Sequence, residues 1–210
     1  MAAINTLEKR ALIQDRSDIV NDFSITVSTV NGSGSQTANL TILRAIFKMG
    51  VPVSGKNLFP SNIQGLPTSF TIRVSKDGFL ARREEQEIVV AMNPTTILKD
   101  MESVCPGGVL FYPDDLKLLT SREDIVCYPM PVKQVIKDQG IPSDRRDYVA
   151  NMVYVGVLAN ILNIDIDKIY SALDFHFKGK TTPIDMNFQV VKAAAQWATE
   201  NLTKKDPYKV

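Results

Sequence analysis

The residues best placed to do chemistry lie in the run Asn31-Gly32-Ser33-Gly34-Ser35-Gln36. It follows a β-branched stretch and precedes an amphipathic one, so it reads as a turn between a strand and a helix. Such a turn leaves backbone N–H groups at a helix N-terminus, which is a ready site for phosphate. A plain structural turn explains the glycines equally well, because glycine adopts positive φ without steric cost. The run is not a Rossmann fingerprint, whose third glycine would fall at Thr37, and it is not a Walker P-loop, since no Lys-Ser or Lys-Thr follows. A second polar loop, Pro60-Ser61-Asn62-Ile63-Gln64-Gly65-Leu66-Pro67, comes after the next predicted strand, and a parallel sheet would set it beside the first. Its Ser61, Asn62 and Gln64 offer neutral hydrogen bonds to a ligand or a partner chain. Asn151 opens an apolar segment and needs a partner there, either a loop backbone or a ligand, because an unsatisfied buried amide costs about 1–3 kcal/mol.

The remaining reactive residue types form no constellation. His176 is the sole histidine and ends an apolar helical segment, which argues against a histidine-based triad or zinc site carried by this chain alone. Cys105 and Cys127 are the only cysteines and form no CxxC pair, so they read as reduced, largely buried thiols and cannot hold an ordinary iron–sulfur cluster. The carboxylate pairs Glu84-Glu85 and Asp114-Asp115 sit in turn-like, solvated surroundings. No catalytic residue and no metal site is expected.

The elements that would position the loops follow from periodicity. Residues 23–30 alternate apolar and small polar side chains and read as a strand. A helix over 36–49 places Leu40, Leu43, Ile46 and Phe47 on one face, and Gly50 ends it. Strands are expected over 51–59, 69–75, 87–92, 109–112 and 124–128, with turns at Lys76-Asp77-Gly78 and Pro106-Gly107-Gly108. Asn93-Pro94 suits the start of a helix, as N-cap and first helical residue. A short helix begins at Val132, and Asn151–Leu162 is apolar on nearly every face and should be buried. Asp165 caps a helix carrying Ile166, Ile169, Leu173 and Phe177. Thr182-Pro183 opens the last one, striped by Ile184, Phe188, Val191, Ala195, Ala198 and Leu202.

Strands alternating with helices predict an α/β protein, a three-layer α/β/α sandwich with a mostly parallel or mixed sheet and a helical C-terminal third. Three parts are expected: a polar N-terminal extension over 1–21, an α/β domain over 22–203 and a C-terminal tail over 204–210. The 210 residues are 44% hydrophobic and 22% charged with a net charge of +1, which suits a globular chain and offers no footprint for nucleic acid. No apolar run approaches the roughly 20 residues of a membrane span, and no secretory signal opens the sequence, so the expected location is cytoplasmic.

In series, these segments resemble one family. Gly32-Ser33-Gly34-Ser35-Gln36 is similar to its GxGGQG loop, and Phe59-Pro60-Ser61-Asn62-Ile63-Gln64-Gly65 to its YPSxIRGG loop. Phe70–Ser75, Asn93-Pro94, Pro106-Gly107-Gly108-Val109-Leu110 and the helix from Asn151 to Leu162 follow in the same order. The family is the gamma subunit, or gamma domain, of 2-oxoacid:ferredoxin oxidoreductases, and the resemblance covers about residues 22–203. It implies a non-catalytic part of a complex acting on pyruvate, 2-oxoglutarate or a similar acid. Thiamine diphosphate, magnesium and iron–sulfur clusters would lie in alpha and beta subunits and a ferredoxin-like partner. It further implies coenzyme A near Gly32, Ser33, Gly34, Ser35 and Gln36, with Ser61, Asn62, Gln64 and Asn151 beside it. Ser35 and Thr37 stand where the family has glycine, Gln64 replaces arginine, and Leu66 replaces a glycine. A stand-alone nucleotide- or coenzyme-A-binding module, or a diverged structural homologue, is the alternative.

Overall fold

Alternation of β-branched residues with serine and threonine makes residues Asp22–Val30 a strand, β2, and it forms the spine of the molecule. A computed structural model describes residues 17–58, 66–116, 118 and 122–210. Before β2 stands the short β1 (Ile19–Val20), and after it come helix α1 (Ser35–Lys48) and strands β3 (Val53–Leu58), β4 (Pro67–Ser75) and β5 (Gln86–Ala91). Helix α2 (Ile97–Ser103), β6 (Val104–Pro113), β7 (Val126–Met130) and α3 (Val132–Asp138) follow. The last third is helical, with α4 (Arg146–Ala150), α5 (Met152–Ile161), α6 (Ile166–Phe177) and α7 (Thr181–Asn201), then a short β8 (Tyr208–Lys209).

Six strands form a mixed sheet in the order β3-β4-β2-β5-β6-β7. β2, β5, β6 and β7 run parallel, while β4 is antiparallel to both of its neighbours. One face presents Phe23, Ile25, Val27, Ile72, Ile88, Val109 and Phe111 to the main core, which α1, α3, α5, α6 and α7 complete. On the other face, among the described residues, only α2 packs as a helix, covering Val89, Ala91 and Leu110. The layers are therefore unequal, a thick helical one and a thin one.

Several boundaries differ from the sequence reading, each for a local reason. α2 begins after Thr96, because the Asn93 side chain accepts from the backbone and hydroxyl of Thr95 and closes a turn before the helix. Pro106-Gly107-Gly108 lies inside β6 as a bulge: Val104 faces Gln86 but Val109 faces Ile88. A Cβ on Gly108 would stand 2.7 Å from the Glu87 carbonyl oxygen. On α1 the buried face is Ala38, Asn39, Thr41, Ile42, Ala45 and Ile46, and Phe47 is 66% exposed. Small side chains let that helix sit close to the sheet, while Leu40 and Leu43 flank it. Along α7 the buried line runs through Ile184, Asn187, Val190, Val191, Ala194 and Ala198, with Phe188 and Ala195 at its margins. Cys105 and Cys127 are half-buried thiols.

Residues 204–210, expected as a tail, are tied to the body. Lys204 Nζ donates to the carbonyls of Ile161 (2.8 Å) and Tyr208 (2.7 Å) and to Asp206. The Tyr128 hydroxyl donates to the buried Asp206 carboxylate at 2.8 Å. β8 pairs with β1 in parallel, so residues 19–20, placed by sequence in a separate extension, are part of the same strap. The cause is a cation at the C-terminal carbonyls of α5, a favoured place for positive charge.

Every residue of α5 except Asn160 is buried, and the helix lies against α7 at Gly156. A Cβ added there would come within 2.3 Å of the Val191 carbonyl oxygen and 2.8 Å of Ala194 Cβ. Backbone cannot yield as a flexible side chain does, so Gly156→Ala should cost about 1–3 kcal/mol or more. The expected readout is a lower melting temperature by calorimetry; an unchanged one would refute the close packing.

Candidate functional site

The glycine run leaves the carboxyl end of β2 and enters α1, and its shape follows from two residues. Gly32 and Gly34 have φ of 86° and 78°, which favour glycine strongly, and Gly34 forms the left-handed cap before the helix. Ser35 and Thr37, which the resemblance sets where the family has glycine, lie in or at the first turn of α1. There any residue takes the helical backbone, so these replacements leave the turn intact.

Hydrogen bonds from Ser33 N to the Val30 carbonyl (3.1 Å) and from Thr37 N to the Gly34 carbonyl (3.3 Å) close the turn. Among the described residues, the amides of Gly32, Gly34, Ser35 and Gln36 have no such backbone partner. They stand at the positive end of the 14-residue α1, whose first turn carries no acidic side chain.

Side chains from β2 and α5 hold the loop. Asn151 donates to the Ser33 carbonyl at 2.8 Å, which gives its buried amide the loop-backbone partner. One turn on, the Tyr154 hydroxyl donates to Asn39 Oδ1 at 2.8 Å, and burial pushes its pKa up. Thr29 and Ser35 share a hydroxyl hydrogen bond of 2.9 Å. Thr29, Asn39 and Tyr154 escape a reading of loops alone; the legible signal is the polar spacing Asn151–Tyr154 inside an apolar helix.

Asn31 N donates to the Leu66 carbonyl at 2.9 Å, so the residue that leads into β4 lies beside the first loop. Ser61, Asn62 and Gln64 lie outside the described residues. A cleft of about 480 Å³ borders Asn31, Gly32, Gly34, Ser35 and Gln36 and extends to Asn57 and Ser69. A second, of about 390 Å³, lies between Gly32, Ser33 and Asn151. The structure thus brings the first loop and Asn151 together.

With this geometry in view, comparison with known proteins decides the family. The family model described as pyruvate ferredoxin/flavodoxin oxidoreductase matches residues 24–197. The chain belongs to the pyruvate ferredoxin/flavodoxin oxidoreductase family. It is 23% identical to the ketoisovalerate oxidoreductase subunit VorA of Methanothermobacter thermautotrophicus, over 85% of this chain and 37% of that one. This family member therefore spans little more than a third of that relative's length. Among solved structures it is similar to the 2-oxoglutarate:ferredoxin oxidoreductase of Magnetococcus marinus, with a TM-score of 0.80, 24% identity, 90% of this chain and 33% of that one. It also matches the keto/oxoacid ferredoxin oxidoreductase gamma subunit of Geobacter sulfurreducens, with a TM-score of 0.69, 16% identity, 85% of this chain and 99% of that one. No described helix is long and apolar enough to cross a membrane.

His176, the only histidine, serves α1 in this family member. Arg44 NH1 can only donate, so Nδ1 accepts (3.3 Å) and the Nε2 proton goes to Thr37 Oγ1 (3.2 Å). Burial, then the Arg44 charge, lower the imidazole pKa below 6.5. The folded protein thus resists a proton that the unfolded chain takes up. This contribution to stability is complete above the unfolded value and is lost as pH falls through the lowered one. Denaturant titrations should show stability declining from about pH 7 to pH 5, and His176→Gln should remove that component. Separately, Asn151→Ala should cost about 1–3 kcal/mol by leaving the Ser33 carbonyl short of its donor, read as a lower urea midpoint.

Proposed function

We propose that this chain is the gamma-type subunit or domain of a 2-oxoacid:ferredoxin oxidoreductase, in which its glycine loop docks coenzyme A. The reaction of the whole assembly is oxidative decarboxylation of a 2-oxoacid to an acyl-coenzyme A, or the reverse. The observation that carries the docking role is the turn at Gly32 and Gly34. It sets amides of Gly34, Ser35 and Gln36 at the helix start with no acidic side chain in the first turn. That donor set fits a diphosphate. Near-complete coverage of the Geobacter gamma subunit supports the subunit assignment. The Magnetococcus structure is described with 2-oxoglutarate, coenzyme A and succinyl-coenzyme A bound, which supports the choice of ligand.

Bound coenzyme A supplies the thiol that accepts the acyl group. The residues of this chain bind and orient. Amides of the loop hold the diphosphate, Asn151 and Tyr154 keep the loop in place, and Ser61, Asn62 and Gln64 extend the contact from the second loop. The chain carries no catalytic residue. Thiamine diphosphate, magnesium and iron–sulfur clusters belong to alpha and beta partners and a ferredoxin-like protein, and the assembly works in the cytoplasm.

Two measurements test this. Tagged chain expressed in its source cells should co-elute in fixed ratio with alpha- and beta-type subunits; elution alone under all conditions would overturn the assignment. By calorimetry, the protein should bind coenzyme A, and Gly34→Ala should weaken binding about tenfold by straining the left-handed turn by about 1–2 kcal/mol. Unchanged affinity in that variant would remove the loop from the site.

A further inference from the structure

The sole histidine of the chain, His176, stands near the end of α6 and reaches the first turn of α1, the turn that the glycine loop opens. Its Nε2–H donates to Thr37 Oγ1 at 3.2 Å, and its Nδ1 accepts from Arg44 at 3.3 Å. Thr37 stands where the resemblance sets a glycine, and glycine has no hydroxyl to offer. The tie between α6 and the loop thus arises from this chain's departure from the motif. The Phe177 ring meets the imidazole at near right angles, 4.8 Å away, and the histidine is half-buried.

Protonation changes these contacts unequally. The Nε2–H bond to Thr37 uses no lone pair of the ring and survives it. The Nδ1 contact fails, because an imidazolium has only donors and Arg44 can only donate. Arg44 already lies over the Phe175 ring at 4.9 Å, where its guanidinium keeps a favourable contact without His176. What remains is a cation hydrogen-bonded to the third residue of α1. It stands beside the amides of Gly34, Ser35 and Gln36, which have no backbone partner among the described residues. A positive charge there favours an anion on those amides, and an anion there favours the charge. The charged groups on the elements that meet around the ring are Arg44 from α1, Asp174 and Lys178 from the end of α6, and Asp185 near the start of α7. Of these, Arg44 hydrogen-bonds to it. Burial, then Arg44, favour the neutral ring, so an added negative charge is what tips the balance.

We propose that His176 is a positioning residue of the glycine loop, which takes up a proton when an anion docks on that loop. The inference rests on the loop reading above and adds a linked proton to it. A ring that only pinned α6 to α1 would hold the same contacts and ignore the ligand.

The test follows the imidazole resonances of this single histidine by NMR against pH, on the untagged full chain, with and without saturating coenzyme A. Coenzyme A should move the titration of His176 to higher pH. By linkage, its affinity in calorimetry should rise about threefold from pH 8 to pH 5, relative to His176→Gln at the same pH values. Glutamine can donate to Thr37 and accept from Arg44 without titrating, and the comparison cancels the ionisation of the ligand's own phosphate. Coenzyme A that binds but leaves the His176 titration in place would overturn the inference, with the loop reading intact. An equal pH dependence of affinity in His176→Gln would also overturn it. Absence of binding at every pH would overturn both readings. Melting curves show whether His176→Gln folds, and if it does not, the NMR titration of the unmodified protein decides.

Discussion

The close approach of α5 and α7 at Gly156 is the constraint on which the rest of the molecule depends. With 2.3 Å between a notional Cβ and the Val191 carbonyl oxygen, the two helices touch backbone to backbone. That contact sets the depth of α5, a helix buried at every residue but Asn160 and unable to form without its neighbours. The start of α5 then brings Asn151 to the Ser33 carbonyl, and its next turn brings Tyr154 to Asn39. The conformation of a surface loop is thus held from the core. A binding loop that keeps its shape before a ligand arrives loses less entropy on binding.

Electrostatics fastens the margins. Asp22 receives Arg73 and Arg83, Arg83 also reaches Glu87, and Glu87 accepts the Ser24 amide. Burial alone would raise the Asp22 pKa, but the hydrogen bonds from the two guanidinium groups outweigh it and hold the carboxyl below its ordinary value. Arg73 is only 3% exposed, which makes this network costly to break, since a lone buried charge has no solvent to fall back on. Near the same end of β2, Lys204, Asp206 and Tyr128 strap the last residues to the end of α5. Both sets tie distant segments to the spine strand or the central helix.

Much of the fold was legible because it rests on local pattern. Strand alternation located β2, β4, β5 and β7 within a few residues, uniform hydropathy marked α5 as buried, and the Asp165 side chain caps α6 by accepting from the Asp167 amide. What escaped depends on neighbours. Phe47 matches the apolar stripe of α1 as well as Ile42 does, yet only packing against the sheet chooses the small-residue face. The last seven residues read as a polar tail because Lys204 and Asp206 find each other only once α5 and β7 are in place. Likewise, alternation makes β2 a strand, but only its place between β4 and β5 buries its serine and threonine face along with the apolar one.

By itself, the sequence determined the element types, the two glycines that allow the left-handed turn and the ordered motifs that mark the family. These are properties of backbone sterics and short-range periodicity, written in adjacent residues. Only the tertiary structure decided that Asn151 serves the Ser33 carbonyl, that Ser35 and Thr37 occupy helical backbone, and that His176 reaches Thr37. Each of these joins residues far apart in the chain, where burial and hydrogen bonding depend on what the fold brings near.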